Sequence, residues 1–98
     1  ANILMSAKFV VPVCPHAGGV GLCELVQHLA MFDAVAVTGH HAERVVEFVD
    51  HLHEHFVVPT NIQNAHYMPP SEPGAGGEMY AQSIADFTFP TGKEWVNA

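Results

Sequence analysis

Apolar positions repeat at helical spacing in two parts of the chain. Residues 2–9 place apolar side chains toward one side, as in the last turns of an amphipathic helix. Residues 22–30 follow a glycine and repeat apolar side chains at intervals of about three and four, which predicts a longer helix with one apolar face. The members of that face are Leu22, Leu25, Val26, Leu29 and Ala30.

The segment between these two helices is typical of a buried strand. Val10, Val11 and Val13 surround Pro12, and the run leads into a turn that is rich in glycine. The predicted order is helix, strand, loop and helix, which is the pattern of an α/β protein.

Two later segments leave their secondary structure open. Residues 34–38 are β-prone and end at Gly39, so a strand and a tight connector both fit them. Residues 42–57 carry apolar side chains on one helical face, but residues 45–49 also fit a buried strand that carries one carboxylate, Glu47. Periodicity alone does not decide between the two.

From Pro59 onward the chain holds most of its prolines and glycines, and they are densest in residues 68–77. Such a composition predicts an irregular tail that needs another surface to lie on. We therefore divide the chain into an α/β part, residues 1–58, and a tail, residues 59–98.

Charge and composition exclude several classes of function. Three basic residues against ten acidic ones give a formal net charge of −7, which argues against binding to nucleic acid. No apolar run approaches the roughly 18 residues of a membrane span, and no signal core is visible, so we expect a cytoplasmic protein. The two cysteines, Cys14 and Cys23, are too few to staple a secreted domain, and we expect them to be reduced.

Two residues are candidates for chemistry. His16 follows the predicted strand and precedes a glycine-rich turn, and the carboxyl ends of strands are where α/β proteins place their ligands. A histidine that caps the next helix fits the same position. Glu47 lies among valines and a phenylalanine, where an ionised carboxylate is costly unless it is paired or used. An exposed glutamate on a helix would be the ordinary alternative.

The eight histidines raise a second class of function. If this segment is extended, His51, His53 and His55 share one face and could chelate a zinc ion. If it is helical, His51 and His55 could do so instead, because they lie four residues apart. The alternative to an enzyme is therefore a freestanding small α/β protein that binds a transition metal and catalyses nothing. A solvated connector flanked by acidic residues is the simpler explanation of the same cluster.

Residues 11–28 and 44–56, with parts of the tail, resemble the C-terminal part of the L-fuconate dehydratases. These enzymes belong to the mandelate racemase group of the enolase superfamily. The resemblance implies the C-terminal part of a modified TIM (β/α) barrel. Residues 1–58 would hold its seventh and eighth strands, and the tail, residues 59–98, would pack on the barrel and the capping domain. A barrel of this kind needs about 250 residues, so the chain is expected to be incomplete as a domain.

The resemblance also implies a function, which is the Mg²⁺-dependent removal of the C2 proton and the C3 hydroxyl from an aldonic acid. The product of this hydro-lyase is a 2-keto-3-deoxy acid. His16 would be the acid/base, and Glu47 would hydrogen-bond the substrate carboxylate. The Mg²⁺ ligands, the lysine base and an aspartate partner of His16 would all precede residue 1, so no metal ligand is expected in this chain. The expected partner is a small sugar acid, the intact enzyme would be a homo-oligomer, and these 98 residues alone would be inactive.

Overall fold

The computed structural model describes residues 1–96, in which short helices and one hairpin are joined by long irregular segments. The helices predicted from residues 2–9 and 22–30 are confirmed. None of the helices in the described part of the chain combines the length and apolar character needed to cross a membrane. The regular elements are α1 (Asn2–Lys8), α2 (Leu22–Phe32), β1 (Asn61–Gln63), β2 (His66–Met68), α3 (Ala81–Phe87) and α4 (Lys93–Val96).

The open segment after α2 is helical. Asp33–Thr38 continues α2 as a wider π-helical stretch and ends at Gly39, whose φ of 73° is left-handed. The Thr38 hydroxyl lies 2.8 Å from the His40 carbonyl and 3.1 Å from the Asp33 carbonyl, so its single proton can be donated to either backbone acceptor. Neither of the two forms expected for residues 34–38, a strand or a tight connector, is therefore present.

The two segments expected to be barrel strands form no regular strand within residues 1–96. One backbone hydrogen bond joins them, from the Glu47 N–H to the Pro15 carbonyl at 3.2 Å. A parallel ladder needs evenly spaced bonds along both neighbours, and Pro12 removes a backbone donor from the first segment. The expected pair of barrel strands is therefore not confirmed, and residues 45–49 are not helical either.

The tail has more regular structure than its prolines and glycines indicate. Strands β1 and β2 form an antiparallel hairpin, and Asn64 and Ala65 connect them with positive φ values of 50° and 62°. Two central residues with positive φ define a type I′ turn, whose twist matches that of paired strands. The opposed residues are Asn61 and Met68, Ile62 and Tyr67, and Gln63 and His66.

After the hairpin the chain returns to the segment that precedes it. The Val57 N–H donates to the Glu78 carbonyl at 2.9 Å, and the Tyr80 N–H donates to the His55 carbonyl at 3.0 Å. These two bonds anchor the chain directly before α3. The glycine-rich residues 69–77 therefore run between the hairpin and this anchored segment.

Little apolar surface is buried in the described residues. The buried apolar residues there are Ala17, Cys23, Val26 and Phe56, whereas Leu25 and Leu29 of α2 are 44% and 50% exposed. The radius of gyration is 16.1 Å, against about 13 Å expected for a compact domain of about 100 residues. An apolar surface of this extent is typical of a region that packs against further protein.

The buried side of α2 combines apolar and polar side chains, namely Cys23, Val26, Glu24 and Gln27. Glu24 is completely buried, and its Oε1 lies 2.5 Å from Nδ1 of His53. The same oxygen accepts a hydrogen bond from the Thr60 N–H at 3.3 Å. One carboxylate therefore joins three parts of the chain, namely α2, the single 3₁₀ turn His53–His55 and the residue before the hairpin.

Both ring nitrogens of His53 face acceptors, because Nε2 lies 2.9 Å from the Val49 carbonyl. Only the doubly protonated ring donates from both nitrogens. Burial alone would lower the pKa of His53, but the hydrogen bonds to Glu24 and Val49 raise it. Burial alone would raise the pKa of Glu24, but the hydrogen bonds from His53 and from backbone N–H groups hold it below its ordinary value.

We expect the stability contributed by this pair to be greatest between pH 4.5 and 6.5, the ordinary pKa values of the two groups. Because the folded-state pKa of Glu24 is lowered, its contribution is present above pH 4.5 and is lost as the pH falls through that lowered value. Because the pKa of His53 is raised, its contribution is present below pH 6.5 and is lost as the pH rises through that raised value. Denaturant unfolding of the natural polypeptide that contains this sequence, repeated across this range, measures the effect.

The matched variants for this measurement are His53→Ala and His51→Ala. The first leaves the Glu24 carboxylate buried without its charged partner, which should cost about 3–5 kcal/mol inside the same pH window. The second removes an exposed imidazole and should change the free energy of unfolding by less than about 0.5 kcal/mol. Equal losses in the two variants would contradict the role given to the pair.

Candidate functional site

His16 lies at the start of the glycine-rich loop and is open to solvent, with 79% of its side chain exposed. Its position depends on Gly18, because a Cβ atom there would lie only 2.8 Å from Nε2 of the imidazole. Real Cβ contacts are never that short, so an alanine at this position would force the ring to move. The glycine following His16 by two residues is therefore needed for the position of the ring.

Three hydrogen bonds fix Glu47. Its N–H donates to the Pro15 carbonyl at 3.2 Å, and its Oε2 accepts from the Ala17 N–H at 2.6 Å. Its own carbonyl accepts from the Tyr67 hydroxyl at 2.5 Å. The first two bonds reach the residues on either side of His16, so the loop and the glutamate are held as one unit.

The two residues predicted to carry chemistry therefore meet, with His16 Nε2 and Glu47 Oε2 3.5 Å apart. At this distance the Glu47 carboxyl group lies close enough to set the orientation of the imidazole. The Glu47 side chain is 40% exposed, so the apolar residues around it in the sequence do not enclose it. The pair presents a proton donor and a carboxylate to a molecule that approaches from solvent.

A small buried layer lies under this loop. Ala17 is fully buried, and the Cys23 Sγ lies 3.8 Å from both the Ala17 carbonyl and the Val49 carbonyl. Burial, followed by the nearby Cys23 thiol, raises the pKa of Tyr67, so its hydroxyl stays protonated and donates to Glu47. The Cys23 and Tyr67 side chains that lie beside the site thus both face backbone carbonyls.

The last glycine of the loop has a structural role. Gly21 begins α2 with a φ of 73°, and a Cβ there would lie 3.0 Å from the Phe56 ring. Its role is therefore to allow a left-handed residue and a close approach of Phe56.

The histidine cluster is not gathered around a common point. His51 is exposed, and both ring nitrogens of His53 are occupied by Glu24 and Val49. His55 Nδ1 lies 3.0 Å from the Ser83 hydroxyl. Within residues 1–96 no three histidine, cysteine or carboxylate side chains come close enough to hold a metal ion, which counts against the zinc hypothesis.

Several contacts that build the site were not expected from the sequence. Tyr67 lies in a run with prolines and gives no local sign that its hydroxyl reaches Glu47. The pair of Glu24 and His53 could not be predicted from the sequence either. Glu24 lies in a helix with an amphipathic pattern, and His53 lies in a polar segment between other elements. His28 places Nε2 2.9 Å from the Ala75 carbonyl, a contact that nothing in its local sequence predicts.

The Gly18→Ala variant tests the space that the imidazole requires. We expect the His16 ring to swing away and the His16 Nε2 to Glu47 Oε2 separation to exceed 4 Å, the limit for an ion pair. Because the ring is exposed, it moves without unfolding the loop, and the melting temperature should change little. A crystal structure of the variant measures the separation.

Gly19→Ala is the control, because a Cβ there would meet Leu22 at 3.0 Å and not the imidazole. Its His16 ring should stay where it is in the wild type. An unmoved ring in Gly18→Ala would contradict the steric argument.

The chain matches known proteins along nearly all its length. Residues 2–83 fit the family described as enolase C-terminal domain-like. Over 93 residues the chain is 57% identical to mitochondrial enolase superfamily member 1 of Xenopus laevis and 56% identical to that of Homo sapiens, covering 95% of this chain and 21% of each relative. Over 97 residues it is 46% identical to L-galactonate dehydratase of Hypocrea jecorina, covering 99% of this chain and 21% of that protein.

The fold agrees with a solved structure as well. The crystal structure of human mitochondrial enolase superfamily member 1 superposes with a TM-score of 0.92 at 55% identity, covering 97% of this chain and 22% of that chain. The chain thus spans about a fifth of the length of the curated relatives it matches. Sequence and fold together show that the chain belongs to the enolase C-terminal domain-like family, with its α/β fold.

Proposed function

We propose that the natural polypeptide containing this sequence is a sugar-acid hydro-lyase of the L-fuconate dehydratase type. It would remove the C2 proton and the C3 hydroxyl of an aldonic acid to give a 2-keto-3-deoxy acid. The observation that carries this proposal is the meeting of His16 and Glu47 at the open edge of the loop, 3.5 Å apart. The name of one relative, L-galactonate dehydratase, supports the same class of reaction.

Glu47 would hold the substrate. Its Oε2 already accepts the Ala17 N–H and faces His16, whereas Oε1 carries neither contact. A proton held between the two carboxyl groups would let Oε1 hydrogen-bond the substrate carboxylate, and this bond strengthens as negative charge develops there. The 40% exposure of the side chain gives a small acid access to this oxygen.

His16 would act as the acid. Its protonated ring would deliver a proton to the C3 oxygen as the bond between C3 and oxygen breaks, and water would leave. The electron pair of the C2–H bond would form the C2–C3 double bond, and the C2 proton would go to a base that we place outside the described residues. The enol would then tautomerise to the 2-keto acid. A positioned acid of this kind contributes typically about 10²–10⁴-fold to the rate.

Enolase superfamily members generally use Mg²⁺, but residues 1–96 do not bring together a set of side chains that fits the ion. We therefore place its ligands in the four fifths of the relatives' length that this chain does not match. The same proposal includes a small sugar acid as the substrate and a homo-oligomer when the polypeptide is complete.

Replacing His16 by asparagine should lower kcat by about 10²–10⁴-fold, because the ring that donates the proton is lost. The Michaelis constant should change little, since the substrate carboxylate would still meet Glu47. The measurement is formation of 2-keto acid from L-fuconate and L-galactonate by the natural polypeptide that contains this sequence.

His51→Asn is the matched control, because it makes the same change at an exposed histidine away from the loop, and its turnover should equal that of the wild type. Wild-type turnover in the His16→Asn variant would overturn the role of His16. A wild-type protein that dehydrates neither acid would overturn the proposed function itself.

A further inference from the structure

Tyr67 bonds to the candidate site from a distant part of the chain. It lies on β2 of the hairpin, and its hydroxyl donates to the Glu47 carbonyl at 2.5 Å. The resemblance and the proposed function give this tyrosine no role. Its contact reaches the backbone of the residue that would hold the substrate.

The position of Tyr67 is itself well determined. Its ring packs edge to face against the Phe48 ring, with centroids 6.0 Å apart and an interplanar angle of 83°. The hairpin that carries it begins next to Thr60, whose N–H donates to the buried Glu24 carboxylate at 3.3 Å. A tyrosine loses little conformational entropy when it is held in this way, because it has only two rotatable side-chain bonds.

Glu47 depends on such support because the residues around it form no strand. In a sheet, ladder hydrogen bonds to neighbouring strands fix the peptide groups of a residue. At Glu47 the N–H donates to the Pro15 carbonyl instead, and the carbonyl accepts from the Tyr67 hydroxyl. Without the hydroxyl, the Glu47 carbonyl would lose its hydrogen bond from Tyr67, on the same residue whose Oε2 accepts the Ala17 N–H at 2.6 Å.

We propose that Tyr67 is a positioning residue that holds the Glu47 peptide so that its carboxylate stays between the Ala17 N–H and His16. The tyrosine touches no reacting atom in this scheme and acts only through Glu47. The inference rests on the proposed function, because it is the use of Glu47 as the substrate holder that gives the position of its carboxylate a catalytic consequence.

The kinetic test uses Tyr67→Phe in the natural polypeptide that contains this sequence, with L-fuconate and L-galactonate as probes. Loss of the hydroxyl should lower kcat/KM about 10-fold, with a raised KM, because the residue that would hold the substrate carboxylate is displaced. Tyr80→Phe makes the same change at an exposed tyrosine and should keep wild-type kinetics.

A double-variant cycle separates positioning from a merely structural effect. If Tyr67 acts through Glu47, the Tyr67→Phe change should cost almost nothing further in a Glu47→Gln background. An equal loss in both backgrounds, or wild-type kcat/KM in Tyr67→Phe, would overturn the inference.

If the wild type dehydrates neither acid, the proposed function fails, but the role of Tyr67 can still be tested by structure. Crystal structures of the wild type and of Tyr67→Phe should then show the distance from the Ala17 N to the Glu47 Oε2 lengthening from 2.6 Å to beyond 3.5 Å. A carboxylate that stays on the Ala17 N–H in the variant would overturn the inference.

Discussion

The buried hydrogen bond between the Glu24 carboxylate and the His53 imidazole is the interaction on which the described structure depends most. With few apolar side chains buried, the chain cannot hold its irregular segments together by hydrophobic contact alone. One oxygen of the Glu24 carboxylate instead contacts both the His53 ring and the Thr60 N–H. Helix α2, the turn His53–His55 and the start of the hairpin therefore meet at this oxygen. An ion pair in such a place is costly to break, because either partner alone would be a buried charge without compensation.

The effect of this pair extends to the candidate site through aromatic contacts. The His53 ring stacks on Phe48 with centroids 5.6 Å apart and nearly parallel planes, at 3°. Phe48 in turn packs against Tyr67, whose hydroxyl reaches the Glu47 carbonyl. A continuous set of contacts therefore runs from the buried pair to Glu47, which lies beside His16 in the folded chain. It explains how an irregular segment holds a side chain in a defined place.

Part of this arrangement could be predicted from the sequence, and part could not. The periodicity of residues 22–30 predicts α2 correctly, but it selects the apolar face as the buried one, whereas Glu24 is buried and Leu29 is half exposed. Periodicity identifies an amphipathic helix and does not show which side its neighbours cover. The β-branched run before His16 predicts a strand, but a strand exists only where neighbouring backbone completes its ladder.

Long-range contacts were the least predictable. His16 and Glu47 could be selected because each has an unusual local setting, and the family resemblance gives both a role. The Tyr67 contact depends on the hairpin turn at Asn64 and Ala65, where two residues other than glycine adopt positive φ. The local sequence does not predict that turn, so the hydrogen bond from Tyr67 to Glu47 is found only in the three-dimensional structure.

The central claim is that this loop presents His16 and Glu47 together to one sugar acid. Its most direct test is a crystal structure of the His16→Asn variant of the natural polypeptide, soaked with a sugar acid that the wild type dehydrates. The account predicts the substrate carboxylate within about 3.2 Å of the Glu47 carboxyl group and the C3 hydroxyl beside the asparagine side chain. A substrate bound with its carboxylate away from Glu47, or with C3 away from position 16, would contradict it.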